Sequence, residues 1–326
     1  MPPQPLTTIY KEINSSKITT DIYLPPLSSN GESKSYPVLI NIHGGAFMLG
    51  NSQMVSLDQI DDCLARGWIV IVPNHRLCPG IDVLTGPVTD VRDLLSWIYQ
   101  GDLEAFLSRE RLARYKVDTE RVMAFGTSSG GFLALSLGYD VPRPPAAILD
   151  FYGPVHFTAP FWTSRLPHVL EKLPREGFRP EFLAKVYDEF PIPTTSGISL
   201  EGQPQATDLS RPRDAYALTQ IANGTVLNAI YPRGVEVGSF CAIDPVEKIK
   251  QCKVFPPTFI VHGDSDRMVP TELSRVLFRV LNDLGIECGM VEVPGEDHTF
   301  AMGMRVGSQT WEVQRRGFDW LERIIG

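Results

Sequence analysis

Apolar runs and amphipathic segments alternate along most of the chain, a pattern typical of strands alternating with helices. After Pro270, a clean amphipathic pattern predicts a helix that stops at Gly285. Its apolar face consists of Leu273, Val276, Leu277, Val280, Leu281 and Leu284.

Several apolar runs predict buried strands, and these are Tyr36–Ile42, Trp68–Val72, Val122–Phe125, Thr258–Val261 and Gly289–Val293. Two polar-apolar segments near the start, Thr7–Ile13 and Ile18–Leu24, predict an antiparallel pair. The pattern favours an α/β fold with a mostly parallel central sheet covered by helices on both faces.

The alternation stops between residues 155 and 245, where prolines and aromatic residues are frequent. Helical patterns in this segment run over Phe161–Leu173, Pro180–Phe190 and Asp214–Ala229. We expect a catalytic core of residues 1–154 and 246–326 with an inserted, mainly helical cap at 155–245, because insertions of this length are usually functional lids. Candidates to line a substrate pocket are Phe47, Phe161, Trp162, Tyr231 and Phe240. The cap aromatics can instead form the core of the cap itself.

A strand-to-helix turn with small residues marks a candidate nucleophile. Residues 126–130 read Gly-Thr-Ser-Ser-Gly and follow the apolar run that ends at Phe125. In a G-x-S-x-G turn the central serine is strained, and a side chain at either glycine would collide across the turn. Only Ser128 has glycines two residues before and two residues after it. Ser129 is then expected to supply a backbone N–H to the site.

A second glycine-rich turn follows the strand Tyr36–Ile42. Residues 43–47 read His-Gly-Gly-Ala-Phe, and we expect the N–H groups of Gly44, Gly45 and Ser129 to bind the oxyanion of an acyl-transfer reaction. Fixed backbone donors need no reorganisation when that charge develops, and loss of one donor typically costs ~10²- to 10³-fold in rate. An ordinary glycine turn is the alternative.

A serine nucleophile needs a base and an orienting acid, and both occur near the end of the chain. Asp266 follows the strand Thr258–Val261, and His298 follows the strand Gly289–Val293. Asp264 is the rival acid, although its position favours a loop-bracing carboxylate. A backbone-bracing hydrogen bond is expected for His43. Structural roles are expected for the four remaining histidines, which are His75, His156, His168 and His262.

These motifs together resemble the hormone-sensitive-lipase and carboxylesterase branch of the α/β-hydrolase fold. The resemblance also includes Arg76-Leu77-Cys78-Pro79, Asp90 ahead of Trp97, and Asp118 and Arg121 before the serine. It implies Ser128 as nucleophile, His298 as base, Asp266 as orienting acid, and an oxyanion hole of Gly44, Gly45 and Ser129. The chain departs from the family pattern at Ala46, where a third glycine is common, and at Thr127 and Ser129.

Composition agrees with one large enzyme and excludes several other classes. The 326 residues are 43% hydrophobic with a net charge of −8, and the absence of basic runs disfavours nucleic acid and anionic membranes as partners. Five cysteines without a C-x-x-C pair argue against a zinc site or disulfide framework. No leader or membrane-spanning stretch is evident, so a cytoplasmic enzyme is expected. No phosphate, dinucleotide or H-E-x-x-H motif occurs, and neither a cofactor nor a metal is expected.

The sequence therefore predicts a serine hydrolase that cleaves a carboxylic ester of a small molecule. The same residues could also cleave a formamide or a lactone, or transfer the acyl group to an acceptor other than water. A hormone receptor on this fold, without catalysis, is disfavoured because such receptors lack the histidine that His298 supplies.

Overall fold

The computed structural model describes residues 4–27, 34–197, 208–232 and 239–326. Within these residues one sheet of eight strands has the order β1-β2-β4-β3-β5-β6-β7-β8. The pairs β1/β2 and β2/β4 are antiparallel, and all later pairs are parallel. The strands are Leu6–Ile13 (β1), Ser16–Tyr23 (β2), Lys34–Ile42 (β3), Ile69–Pro73 (β4), Tyr115–Thr127 (β5), Ala147–Phe151 (β6), Thr258–Gly263 (β7) and Cys288–Val293 (β8).

Helices lie between the strands and in the inserted segment. The α-helices are Leu57–Ala65 (α1), Thr89–Tyr99 (α2), Asp102–Arg109 (α3), Ser129–Ser136 (α4), Pro167–Leu170 (α5), Pro180–Ala184 (α6), Pro212–Asn223 (α7), Val226–Ile230 (α8), Pro245–Gln251 (α9), Thr271–Asp283 (α10), Phe300–Gly303 (α11) and Gln309–Ile325 (α12). A π-helix spans Leu84–Val88, and 3₁₀ turns span Pro160–Thr163, Lys185–Asp188 and Ser239–Ala242.

Both faces of the sheet are buried, as expected for parallel strands with a continuous apolar sequence. In β3, Val38 and Ile40 belong to one core cluster and Leu39 to the other, because successive side chains point to opposite faces. Helices α2, α4 and α10 contribute to the first cluster, while α1 and α12 contribute to the second. The predicted α/β class, with a mostly parallel sheet covered on both faces, is confirmed.

The predicted helix after Pro270 is present as α10, and Gly285 follows it with φ +69°. Leu273, Leu277 and Leu281 are buried, as the four-residue spacing predicts. Leu284 was predicted on the same face but is exposed, because it lies at the C-cap where the helix has already ended.

The helices of the inserted segment are shorter than their patterns predict. The pattern over Asp214–Ala229 is divided into α7 and α8 at Gly224, whose φ of +67° closes the first helix. The pattern over Phe161–Leu173 contains a 3₁₀ turn and then α5, which starts at Pro167 because the residue before a proline is driven to extended backbone. The division of the chain into core and cap stays a prediction.

Asp244 joins the two ends of this segment. Its carboxylate accepts hydrogen bonds from the backbone N–H groups of His156 (3.0 Å) and Phe157 (2.7 Å) at the start of the segment. It also caps α9 through Val246 N at 2.9 Å. The fully buried carboxylate therefore fixes the points at which the chain leaves the sheet layer and returns to it.

No helix among residues 4–27, 34–197, 208–232 and 239–326 has both the length and the apolar composition that crossing a bilayer requires.

Candidate active site

Ser128 lies at the sharp turn between β5 and α4, in the strained conformation that the glycine spacing predicts. Its φ and ψ are +53° and −124°, outside the regions that non-glycine residues favour. A Cβ on Gly126 would come within 2.0 Å of Gly130 O, and a Cβ on Gly130 would come within 2.1 Å of Ile42 O. Both positions therefore exclude any side chain, and the backbone holds the Ser128 hydroxyl out of the turn.

The structure brings Ser128, His298 and Asp266 into one hydrogen-bonded chain. Ser128 Oγ lies 2.9 Å from His298 Nε2, and His298 Nδ1 lies 2.6 Å from Asp266 Oδ2. Because an ionised carboxylate only accepts hydrogen bonds, Nδ1 carries the imidazole proton. His298 Nε2 can then accept the serine proton, which is the arrangement that activates a hydroxyl for attack.

Asp266 is buried, and hydrogen-bond donors surround it. Its Oδ1 accepts the backbone N–H groups of Met268 and Val269, both at 2.8 Å, while its Oδ2 faces His298 and also His262 Nε2 at 3.0 Å. Burial alone would raise the pKa of this carboxyl, but the positive charge of His298 and the hydrogen bonds from both histidines hold the pKa well below its usual range. These contacts therefore favour the ionised form of the Asp266 carboxyl.

His262 contacts the candidate acid directly, which the sequence did not indicate. Its ring is fully buried at the end of β7, with Nδ1 2.8 Å from Ser274 Oγ and Nε2 also 2.8 Å from Val269 O. The only sequence signal was its position four residues before Asp266. Tyr152, also missed, packs its ring 4.8 Å from the His298 ring and 6.2 Å from the His262 ring.

The rival acid, Asp264, braces the neighbouring loop. Its Oδ1 accepts hydrogen bonds from Gly295 N at 2.7 Å and Ser265 Oγ at 2.9 Å. These contacts join the loop after β7 to the loop that carries His298.

Residues 43–50 form a second turn beside Ser128, here called the glycine loop. His43 Nδ1 lies 2.7 Å from Gly44 O, which is the backbone-bracing contact that the sequence predicts. The His43 ring stacks on His75 at 4.7 Å, and burial lowers the pKa of His43 to about 3 and also lowers the pKa of His75. Over the described ranges, no hydrogen bond is found from the N–H of Gly44, Gly45 or Ser129, and the oxyanion role of these three donors stays a prediction.

A largely apolar pocket, partly open to solvent, lies over Ser128 and His298. Gly45, Phe47 and Ser129 line it on the core side. The remaining lining residues are Ala46, Pro154, Phe161, Trp162, Ser164, Leu166, Ile221, Gly224, Val226, Leu227, Met268 and Val269. Most come from the segment predicted as a cap, so this segment forms much of the pocket wall beside Ser128.

The predicted pocket aromatics divide into two groups. Phe47, Phe161 and Trp162 line the pocket, whereas Tyr231 and Phe240 pack against the main core cluster and do not belong to the described lining. The aliphatic part of the wall, with Leu166, Ile221 and Met268, was not predicted. These residues are ordinary apolar positions in sequence and share a surface only after the segment folds.

Two sequence families match the chain. Residues 20–168 match the family described as BD-FAE, and residues 232–326 match the prolyl oligopeptidase family. The first range contains the glycine loop and Ser128, and the second contains Asp266 and His298.

Solved structures of similar fold include esterases. Esterase 2 of Thermogutta terrifontis with bound propionate has a TM-score of 0.60 and 18% identity to this chain, and the match covers 99% of this chain and 95% of the esterase. The same esterase phosphoramylated by tabun has a TM-score of 0.61 and 17% identity, covering 99% and 96%. A protein of unknown function from Staphylococcus aureus has a TM-score of 0.66 and 18% identity, covering 98% and 100%. At these identities the likeness is one of fold.

Similar sequences occur inside much longer fungal proteins. The chain is 27% identical over 336 residues to a non-reducing polyketide synthase of Stereocaulon alpinum, a match that covers 98% of this chain and 13% of the synthase. It is 28% identical over 331 residues to one of Acremonium egyptiacum, covering 97% of this chain and 15% of the synthase. The chain thus spans about a seventh of the length of these relatives.

Proposed function

We propose that the chain, which has the α/β-hydrolase fold, is a serine hydrolase that cleaves carboxylic esters of small or medium-sized substrates. The observation that carries the proposal is the hydrogen-bonded chain from Ser128 Oγ through His298 to Asp266, at the floor of an apolar pocket. A receptor that only binds has no need of a base in contact with a serine hydroxyl that lines the pocket.

The reaction proceeds through an acyl-enzyme. Ser128 Oγ attacks the ester carbonyl while His298 Nε2 takes its proton, and the N–H groups of Gly44, Gly45 and Ser129 bind the resulting oxyanion. When the tetrahedral intermediate collapses, the bond from the acyl carbon to the alcohol oxygen breaks and His298 returns the proton to the leaving alcohol. Water then repeats the attack with His298 as base, which releases the acid and restores the Ser128 hydroxyl. Asp266 orients His298 and stabilises its charged form throughout.

Formamides, lactones and acceptors other than water remain alternatives for this chemistry, because the same serine, base and oxyanion site serve each of them. Initial rates on p-nitrophenyl esters, a formyl anilide and a lactone distinguish the three substrate classes. We expect ester turnover in the wild type and its loss in Ser128→Ala. A wild-type protein that cleaves only the anilide or only the lactone would overturn the ester proposal.

A thioester is a second candidate substrate, favoured by the match of almost the whole chain to a segment of non-reducing polyketide synthases. Serine attack on a thioester needs the same base and oxyanion donors and expels a thiol instead of an alcohol. The apolar pocket suits an acyl group of the aromatic or polyketide type. Comparison of an N-acetylcysteamine thioester with the oxygen ester of the same acyl group tests this candidate. A kcat/KM for the thioester below that for the oxygen ester would count against it.

We further propose a cytoplasmic location for this enzyme, as predicted from the sequence, because a reducing compartment keeps thiols unpaired. The five cysteines, two of them buried, are all free.

A further inference from the structure

One arginine of the inserted segment binds the glycine loop from behind. Arg213, in the first turn of α7, is only 7% exposed. Its Nη1 donates to Met48 O at 2.8 Å and to Cys78 O at 2.6 Å, and its Nε donates to Glu189 at 2.9 Å. The partners Met48 and Cys78 lie on two different loops of the core.

These two loops are also joined to each other. Cys78 N donates to Phe47 O at 2.9 Å, so the Arg213 guanidinium closes a small network that contains two consecutive carbonyls of the glycine loop. Charged donors form stronger hydrogen bonds than neutral ones, and Arg213 carries its own counter-ion in Glu189. The network therefore holds the glycine loop at a fixed distance from α7.

The glycine loop needs such a restraint because its backbone is strained. Gly45, Ala46 and Phe47 have φ values of +118°, +53° and +64°, and the last two are not glycines. Conformations of this kind persist only where the surroundings impose them. In the proposed reaction this loop must aim its N–H groups at the oxyanion, and a shift of about 1 Å in such groups can cost ~10²-fold in rate.

We propose that Arg213 is a positioning residue that holds the glycine loop in the geometry that binds the oxyanion. The inserted segment would then line the substrate pocket and, through Arg213, also control how well the glycine loop binds the oxyanion. This inference rests on the proposed function, and it concerns a residue that does not line the pocket and does not contact the triad.

Three variants separate this role from ordinary stabilisation. Arg213→Met removes both donated hydrogen bonds to the loops, and we expect kcat on p-nitrophenyl acetate to fall by ~10²-fold with little change in KM. Arg213→Lys retains a buried cation with fewer donors, so its kcat should lie between those of the wild type and Arg213→Met. Glu189→Gln leaves the bonds to Met48 and Cys78 in place and should keep kcat near the wild-type value.

Arg92 offers a matched structural control. It also donates to two backbone carbonyls, Ser136 O at 3.1 and 3.2 Å and Tyr139 O at 2.8 Å, but these lie at the far end of α4 and beyond it. Arg92→Met should lower Tm as Arg213→Met does, while kcat stays near the wild-type value.

The deciding experiment measures kcat, Tm and the rate at which a fluorophosphonate labels Ser128 in all five proteins. The phosphonyl oxygen occupies the oxyanion site during labelling, so the rate reports on the loop without any substrate. A labelling rate that falls ~10²-fold in Arg213→Met, with partial recovery in Arg213→Lys, supports the proposal. Labelling rates of Arg213→Met within about threefold of those of Arg92→Met overturn it.

If the wild type is labelled but hydrolyses no ester, the proposed function fails while the labelling series still decides the role of Arg213. If Arg213→Met does not fold, the labelling rate of Arg213→Lys is compared with that of Arg92→Lys instead.

Discussion

His262 Nε2 lies 3.0 Å from Asp266 Oδ2, the same oxygen that lies 2.6 Å from His298 Nδ1. Since Val269 O is the other acceptor near His262 Nε2, that nitrogen carries the proton, and His262 Nδ1 accepts from Ser274 Oγ. The candidate acid is thus held by two imidazole donors, one at the end of β7 and one on the loop after β8. Ser274, at the inner side of α10, fixes the tautomer of the second histidine.

We predict that His262→Phe lowers kcat by about tenfold or more, because a hydrogen bond to a charged group is removed from the carboxylate that orients His298. His262→Gln places an amide N–H near the position of Nε2 and should recover much of the loss. Steady-state kinetics with a thermal melt for each variant make the comparison. Equal kcat values for the two variants would assign His262 to packing alone.

Ser129→Ala should be nearly silent, in contrast to Ser128→Ala. The Ser129 hydroxyl is buried and has no hydrogen-bond partner among the described residues. Its removal therefore leaves no donor or acceptor without a partner. Only the backbone N–H of Ser129 has a role in the proposed reaction, and alanine keeps it. Steady-state turnover and Tm should both stay near the wild-type values. A ~10²-fold or greater loss of kcat would show that the side chain takes part in the reaction.

The stability of the protein should depend on pH through Asp150, which lies on β6 behind the serine turn. Burial raises the pKa of its carboxyl to about 7, and the hydrogen bond from Gly153 N at 3.0 Å opposes this rise. The folded pKa exceeds the unfolded value, so the folded state retains a proton that the unfolded state has lost. The free energy of unfolding therefore falls as pH rises from about 4 to about 7.

Asp150→Asn keeps an acceptor for Gly153 N and cannot ionise, so it should remove this dependence. We expect the Tm difference between Asp150→Asn and the wild type to increase from pH 5 to pH 8. The increase should be about 2–4 °C for each kcal/mol of unfolding free energy that the wild type loses and the variant keeps. Calorimetry at several pH values provides the measurement. A Tm difference that does not change with pH would mean that Asp150 is ionised in the folded protein under all these conditions.

The pocket should favour short or compact acyl groups. Trp162 is fixed in its wall, with Nε1 3.1 Å from both Val155 O and His156 O, and its ring is in contact with Phe157 and Phe161. A long chain gains only ~0.8 kcal/mol per buried methylene, and only if a groove receives it. We expect kcat/KM to fall from acetyl or butyryl to decanoyl esters. Trp162→Ala should change this ranking while acetyl turnover persists, whereas a steady rise to decanoyl in the wild type would indicate an open groove.

The sequence predicted the parts of the site that depend on local geometry. The spacing of the two glycines around Ser128 selects one of two adjacent serines within five residues. A Cβ on Gly126 would collide inside the turn, whereas a Cβ on Gly130 would collide with Ile42 O on β3, a contact that the local spacing does not show. The alternation of strand and helix patterns predicted a mostly parallel sheet covered by helices, because each pattern is also set by neighbouring residues. Local periodicity was enough to place α10 within two residues.

The parts that were missed depend on contacts between distant residues. Arg213 donates to carbonyls 165 and 135 positions earlier in the chain, and no local pattern encodes these partners. The partnership of His262 with Asp266 depends on how the loop after β7 folds back on the strand end. The break at Gly224 was missed because the apolar spacing continues across it while the backbone does not.

The central claim is that Ser128 carries the acyl group, and acyl-enzyme trapping tests it most directly. The wild type, mixed with excess p-nitrophenyl butyrate and quenched in acid within milliseconds, is digested and its peptides are analysed by mass spectrometry. We predict a butyryl group on Ser128, its absence in Ser128→Ala, and its persistence on Ser128 in Ser129→Ala. A butyryl group on Ser129, or ester turnover that continues in Ser128→Ala, would contradict the account.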